Sequence, residues 1–453
     1  MAVLFSSVLA AQNPQILDLG VGESQRVALA NGTAKTVRLL GYREQTEPYL
    51  RLGNRVFVDA VVSADVQVEV DGVTTTISGG PFRLPTTANG LSLLVATTKG
   101  WIGGSAPENF KKDVRLEAKD ARLPWCEADR FLFPIRNYRW RATNYQHTWL
   151  GIVVNQRGLY YHRGEDMGMI PDLDYAVAVT DGVITKVPGP KGDGGSNAVV
   201  IEDATGLTFR YAHMNTPHIL PELQPGIRVT KGQKLGLTGN TYGGGPVDDP
   251  HLHVEVRDQK SGALRNSFPL FVAAYLNSYP GSLLPIAGGW RHVWAGNTIE
   301  LDGSRSLPAP GRKIVSYDWT FTDGKRVKKP RVRRYYARVG TYSEQLLVRD
   351  DRGQSDLDFV EVFVLDRERK SPPPYVWINY YPVRNIRPGT DVRFLTRYVS
   401  LRDLIIDFGD GTKVPYAEMT THRYRRPGTY VVTVSGMDDG TGPGIFKVRV
   451  VVE

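Results

Sequence analysis

Residues 248–258 read DDPHLHVEVRD, and within them Leu252, Val254 and Val256 alternate with His251, His253 and Glu255. Successive side chains on a strand point to opposite faces. The segment is therefore predicted as a strand that buries its apolar set on one face and carries two histidines and a glutamate on the other. The chain has only eight histidines, so two on one polar face mark this strand as a candidate for chemistry. Similar short alternations, punctuated by Gly, Asn, Asp and Pro, recur along the chain, while long helix-period runs are scarce. The expectation is a mainly β protein.

At 453 residues the chain exceeds what one hydrophobic core sustains, so several domains are expected. The net charge is +9, from 56 Lys and Arg against 47 Asp and Glu. Its basic residues gather in GKRVKKPRVRRYYARVG (324–340) and HRYRRPG (422–428). Such a surface suits an anionic polymer, or it serves solubility alone. No nucleic-acid-binding signature accompanies it, and nucleic acid is not an expected partner. The single cysteine, Cys126, excludes an intrachain disulfide and a cysteine-rich zinc site. Residues 2–11 are small or apolar and end in Leu9-Ala10-Ala11, which reads as a signal remnant or a first strand. Export to the periplasm, the cell surface or the medium is expected. No run of about 18 apolar residues occurs, so no membrane-spanning helix is predicted.

Four regions follow from composition and punctuation. Residues 1–122 read as an accessory β domain, with a hairpin about Asn31-Gly32. Residues 123–280 hold strand-like segments separated by Gly, Asp and Asn, closed by one helix candidate at 267–278. Residues 281–367 and 374–453 repeat each other. Asp318-Trp319-Thr320-Phe321 aligns with Asp407-Phe408, and Gly340-Thr341-Tyr342 with Gly428-Thr429-Tyr430. Between the repeats, DRERKSPPPYV (366–376) reads as a linker. Both repeats resemble polycystic-kidney-disease (PKD) domains, which implies immunoglobulin-like sandwiches with a binding or spacing role. The first has Thr322 where that family usually has Gly, and the second lacks the Trp.

The second region also carries HRGED, with His162 and Asp166 four apart, and RYAHM, which sets His213 at the end of an apolar strand. Imidazole and carboxylate are the usual ligands of catalytic zinc, which takes three from the protein and leaves one position open. A His-x-x-x-Asp pair with one distant His supplies such a set, and further histidines remain for protons. His147, His218, His292 and His422 lack partners at ligand spacing, although His218, five after His213, stands close enough in sequence to support the site.

In fixed order, HRGEDMG, AVAVTDGVITKV, NAVVIED with GLTFRYAHM, VTKGQKLGLTGNTYGGGP and PHLH resemble the motifs of the lysostaphin/LytM-type zinc endopeptidases, from Phe133 to Val256. The resemblance implies one Zn2+ per chain, held by His162, Asp166 and His253, with His213 and His251 as the catalytic pair. It also implies cleavage of peptidoglycan cross-links or stem peptides, or of another extracellular peptide. Gly243, Gly244 and Gly245 would keep one groove wall low, or simply form a flexible loop. Asp248 and Asp249 are extra residues relative to the family pattern. In relatives an upstream segment covers the groove and ligates the zinc, a role open here to residues 1–122, Asn144 or Asn155. Two other readings stand beside the enzyme of the cell wall: a non-catalytic surface scaffold that retains the fold, and a secreted peptidase of protein substrates.

Overall fold

The computed structural model describes residues 13–102, 110–127, 129–155, 158–243, 245–247, 249–369, 372–438 and 442–453. The expected mainly β architecture is found. Among the described residues one α-helix of appreciable length occurs, Phe268–Ser278, and no helix is long and apolar enough to cross a membrane. The proposed signal remnant, Gly244 and Asp248 lie outside the described residues, as does the side chain of Asn155.

Toward the N-terminus, two four-stranded antiparallel sheets share one core built from Leu17, Val37, Val66, Leu93 and Leu116 among others. The predicted hairpin is present: Ser24–Ala28 pairs with the start of Ala34–Arg51, and Gly32 turns with φ +84°.

The central region is a six-stranded antiparallel sheet. Its strands are β1 (Glu165–Gly168), β2 (Gly182–Lys186), β3 (Val199–Glu202), β4 (Leu207–Ala212), β5 (Arg228–Val229) and β6 (His251–Asp258). They lie in the order β1-β6-β4-β3-β2-β5. The alternation read in β6 is realised. Leu252, Val254 and Val256 are buried in the core with Phe209 and Tyr211 of β4. The helix, α1 (Phe268–Ser278), has Pro269 at its first turn and closes the same core through Phe268, Phe271 and Tyr275.

The two C-terminal repeats are not separate beads. One continuous nine-stranded sheet runs through both, joined at a parallel bridge between Thr341 and Gly444. The linker also ends earlier than expected: Tyr375 and Val376 are buried in the strand β7 (Tyr375–Tyr381), and Arg369 is clamped by both carboxylate oxygens of Asp438 at 2.7 and 3.0 Å. Aromatic and β-branched content, which stands for strand, outweighs the Pro-rich run just before it.

Candidate metal centre

Antiparallel register does most of the assembly. β6 pairs with β1 so that His253 stands opposite Asp166, and with β4 so that it also stands opposite Ala212, one residue before His213. Directly opposed residues project to one side of the sheet. His162 reaches the same place across the turn that precedes β1. Gly164 permits that turn: a Cβ there would lie 2.6 Å from the Val254 carbonyl and 2.9 Å from the His253 ring.

The donor atoms of His162, Asp166 and His253 lie within 4.8 Å of one another, and all three side chains are largely shielded from solvent. His162 Nε2 is 2.9 Å from His253 Nδ1 and 3.0 Å from Asp166 Oδ1, while His253 Nδ1 is 2.8 Å from that same oxygen. Two imidazole nitrogens facing each other across a carboxylate oxygen are three lone pairs that need a shared cation, a proton or a metal. The set is the N, N, O donor type of catalytic zinc.

Charge is strongly biased here. Burial pushes the His162 imidazole down to about 4. Burial opposes the charge on His253 too, but hydrogen bonds to Asp166 and Glu255 outweigh it and hold that ring up to about 9. For Asp166, burial favours the neutral acid, yet the facing rings of His162 and His251 keep it well below the usual carboxylate range. Glu255 buttresses the outer nitrogen, with Oε2 3.5 Å from His253 Nε2. A carboxylate behind a ligating imidazole fixes its tautomer and orientation.

His213 and His251 flank the triad, their ring centroids 4.4 Å apart. His251 Nδ1 is 2.6 Å from the Asp249 carbonyl, and His213 Nδ1 is 3.0 Å from the Thr241 carbonyl. Carbonyls only accept, so Nδ1 carries the proton in each ring and Nε2 keeps its lone pair. His251 Nε2 lies 3.5 Å from Asp166 Oδ1. Burial, then the neighbouring rings of His251 and His253, push the His213 imidazole well down. His213 adopts φ +66°, an uncommon conformation for a residue with a Cβ.

The structure brings together all five expected residues. Of the glycines, Gly243 turns with φ +62° and donates to the Gly195 carbonyl at 2.7 Å, and Gly245 pairs with Tyr242 in a two-residue ladder. His218 is held 2.6 Å from Asp172 rather than at the triad. His422 lies 2.8 Å from Asp410 and stacks on Phe408. Asn144 is no ligand: its amide bonds the Val376 carbonyl at 2.6 Å and the Ile378 N–H at 2.8 Å.

One histidine was missed. His147 is buried, with Nδ1 3.5 Å from Asp166 Oδ2 and its ring 4.4 Å from that of Trp290. It arrives because 145–147 pair with β1, through Gly168 N to Tyr145 O and Asp166 N to His147 O. Spacing along the chain carries no trace of that pairing. The nearest sequence cue is the apolar company of Tyr145 and Trp149 around it.

Residues 160–264 match the family model described as Peptidase family M23, and residues 284–364 and 378–442 each match a PKD domain model. Among curated proteins, the peptidoglycan DD-endopeptidase ShyA of Vibrio cholerae is 34% identical over 111 residues, which cover 24% of this chain and 24% of that protein. The chain thus matches about a quarter of that relative's length. Among solved structures, one from Ruminococcus gnavus assigned as a glycyl-glycine endopeptidase lytM is 25% identical, covering 32% of this chain and 61% of that one with a TM-score of 0.25. The fibronectin(III)-like modules of Clostridium thermocellum CbhA are 12% identical, covering 38% of this chain and 94% of that one with a TM-score of 0.16. The chain therefore carries a LytM-type family M23 peptidase domain followed by two PKD domains.

Proposed function

We propose that the protein is an exported, zinc-dependent endopeptidase that hydrolyses peptide bonds of peptidoglycan cross-links or stem peptides. One observation carries the reading: His162, Asp166 and His253 converge as a three-donor set, with two further imidazoles beside it whose Nε2 atoms are free to accept a proton. The match to a peptidoglycan endopeptidase supports the substrate class. The regions we assign are an accessory β domain (1–122), the peptidase (123–280) and two sandwiches (281–367 and 374–453) that hold the enzyme against a wall or anionic polymer.

In this reading His162 Nε2, Asp166 Oδ1 and His253 Nδ1 hold the metal. When bound, zinc supplies a Lewis acid for the scissile carbonyl and acidifies water. The rest belongs to the chain. His251 and His213 are fixed in one tautomer by the Asp249 and Thr241 carbonyls, so both present Nε2 to the reacting groups. One accepts the proton of the attacking water, and the pair returns it to the leaving amine. Burial of the cluster removes competing water and strengthens each of these interactions.

The test is zinc content measured with release of peptides from purified peptidoglycan, for the parent and for His251→Ala. The parent should hold one zinc per chain and release peptides. His251→Ala should keep its zinc and lose activity on the order of 10²–10⁴-fold. A parent without zinc, or a variant of unchanged activity, overturns the reading. A parent that holds zinc and cuts a matrix protein but not peptidoglycan overturns the substrate.

A further inference from the structure

A cavity of about 100 Å³ opens where the N-terminal sheets, the segment 141–152 and the start of the first PKD region meet. Its charged lining is of one sign: Arg141, Arg291 and Arg305, with no carboxylate among the lining residues. Two of these guanidiniums are compensated from behind. Arg141 Nε bonds both oxygens of Asp358 at 2.8 and 2.9 Å. Arg291 bonds Glu47 through Nε at 2.6 Å and the Glu300 carbonyl through Nη1 at 2.7 Å.

Arg305 is not compensated in this way. Its Nε is buried without a hydrogen-bond partner among the described residues, and its ion pair is a long one, 3.6 Å from Nη2 to Asp302 Oδ2. Asp302 is itself shared, with Arg331 Nε at 3.4 Å and with the backbone N–H of Ser304 at 2.9 Å. Nearby, Arg83 also has a buried Nε with no partner. Burial, and after it the charge of Arg83, hold the Arg305 guanidinium down to about 9. The Arg305 side chain is 22 % exposed and its one carboxylate is shared, so it keeps capacity for a further anion.

The same cavity is lined by His147, which is nine-tenths buried and has neither ring nitrogen hydrogen-bonded. A guanidinium held by one long ion pair, with its Nε unpartnered, and a buried imidazole N–H are donors of the kind that recognise a carboxylate or phosphate. From these contacts we propose that the cavity is a binding site for a small oxyanion, phosphate or carboxylate, held by Arg305 with His147 as a further donor. His147 Nδ1 also stands 3.5 Å from Asp166 Oδ2, so the occupant is one side chain removed from the metal centre.

The experiment is thermal unfolding and equilibrium dialysis of the full chain with inorganic phosphate, and separately with acetate, against sodium chloride at equal ionic strength. One oxyanion should bind per chain, saturably in dialysis, and raise Tm with the logarithm of its concentration, by about 3 °C or more at a hundredfold excess over Kd. Arg305→Met should weaken that binding at least tenfold. Arg333→Met, the same charge change at an exposed position, should leave it intact. Arg305→Lys, which keeps the charge but removes the fork, serves if the Met variant does not fold, and should also weaken binding. Whichever of the two probes saturates first identifies the chemistry of the natural occupant. The proposal is overturned if neither oxyanion does more than chloride. It is equally overturned if binding persists undiminished in Arg305→Met, as it would for phosphate lodged at the metal centre.

Discussion

Phe321, two residues after Trp319, and Phe408 hold corresponding places in the two PKD repeats, each N–H closing the turn onto the carbonyl four residues on, yet they belong to different cores. Trp319 is fully buried in a cluster of its own region, with Leu301, Leu346 and Val362. Phe408 lies in the cluster that also contains Phe209, Leu252 and Phe271 of the peptidase. The polar contacts follow the same division. The second repeat sends Asn379 Nδ2 to the carbonyls of Met169 and Pro250 at 2.9 and 3.1 Å, and buries Arg449 against the Trp140 carbonyl at 2.7 Å and Asp356 at 2.8 Å. The first repeat meets its neighbours through the ion pairs Arg141 to Asp358 and Arg291 to Glu47, and through Phe363 and Leu365, which join the peptidase's cluster while Trp319 does not. Two copies of one plan thus differ in where their free energy is shared. A defect in the Trp319 cluster of the first should stay local, and one in the core of the second should reach the metal centre.

The largest effects break that contrast most directly. Trp319→Ala should cost about 3–5 kcal/mol in the first repeat's core, and Arg449→Met about 3 kcal/mol by leaving the buried Trp140 carbonyl and the partly shielded Asp356 without their donor. In calorimetry Trp319→Ala should lower one transition while zinc content and peptide release persist. Arg449→Met should lower the peptidase transition and activity together. If both variants lose activity in parallel, the cores are not independent and the contrast fails.

A smaller change sharpens it. Asn379→Ala leaves the Met169 carbonyl without its side-chain donor and the Pro250 carbonyl, one residue from His251, with only the Met169 N–H, at a cost of roughly 1–3 kcal/mol. Gly168 makes that approach possible, since a Cβ there would lie 2.6 Å from Asn379 Oδ1. Peptide release should fall about tenfold, in line with the cost of misplacing a group near the reacting centre, with zinc content unchanged. Wild-type turnover in this variant would show that the second repeat only stabilises.

The parts of this arrangement that are local were legible in the sequence. The faces of β6 follow from a period of two, and the His162–Asp166 pair from a short turn with its obligatory Gly164. The ordered motifs extended this to His213, because a strand and its family pattern come as a unit. What was not legible depends on pairings between distant segments. His147 meets Asp166 only after 145–147 add to the edge of β1, and Asn144 meets β7 more than 230 residues on. The repeat itself was visible, but no residue pattern tells whether Phe408 shares its core with its own region alone. The bridge of Thr341 to Gly444, which fuses the two sheets, is a single contact with no sequence signature.

The smallest predicted effect concerns the seam of the first repeat with the N-terminal sheets. His292 is buried there, its ring 3.8 Å from Tyr49 and stacked at 4.6 Å on Phe363. Burial, reinforced by the charge of Arg291, holds its imidazole down to about 3. Above the unfolded value of about 6.5 both states are neutral and this group adds no pH dependence. As pH falls below 6.5 the unfolded chain takes up a proton that the folded chain refuses. Stability is therefore lost toward the folded value, at no more than about 1.4 kcal/mol per pH unit. Other buried histidines titrate in the same window, so the difference between parent and His292→Phe is the measurement. Urea midpoints at pH 7, 6 and 5 should decline more steeply in the parent than in the variant, which keeps the ring stack but has no proton to accept. Parallel declines would mean that the seam opens before His292 is charged, and that the rim of the first repeat is looser than its packed rings imply.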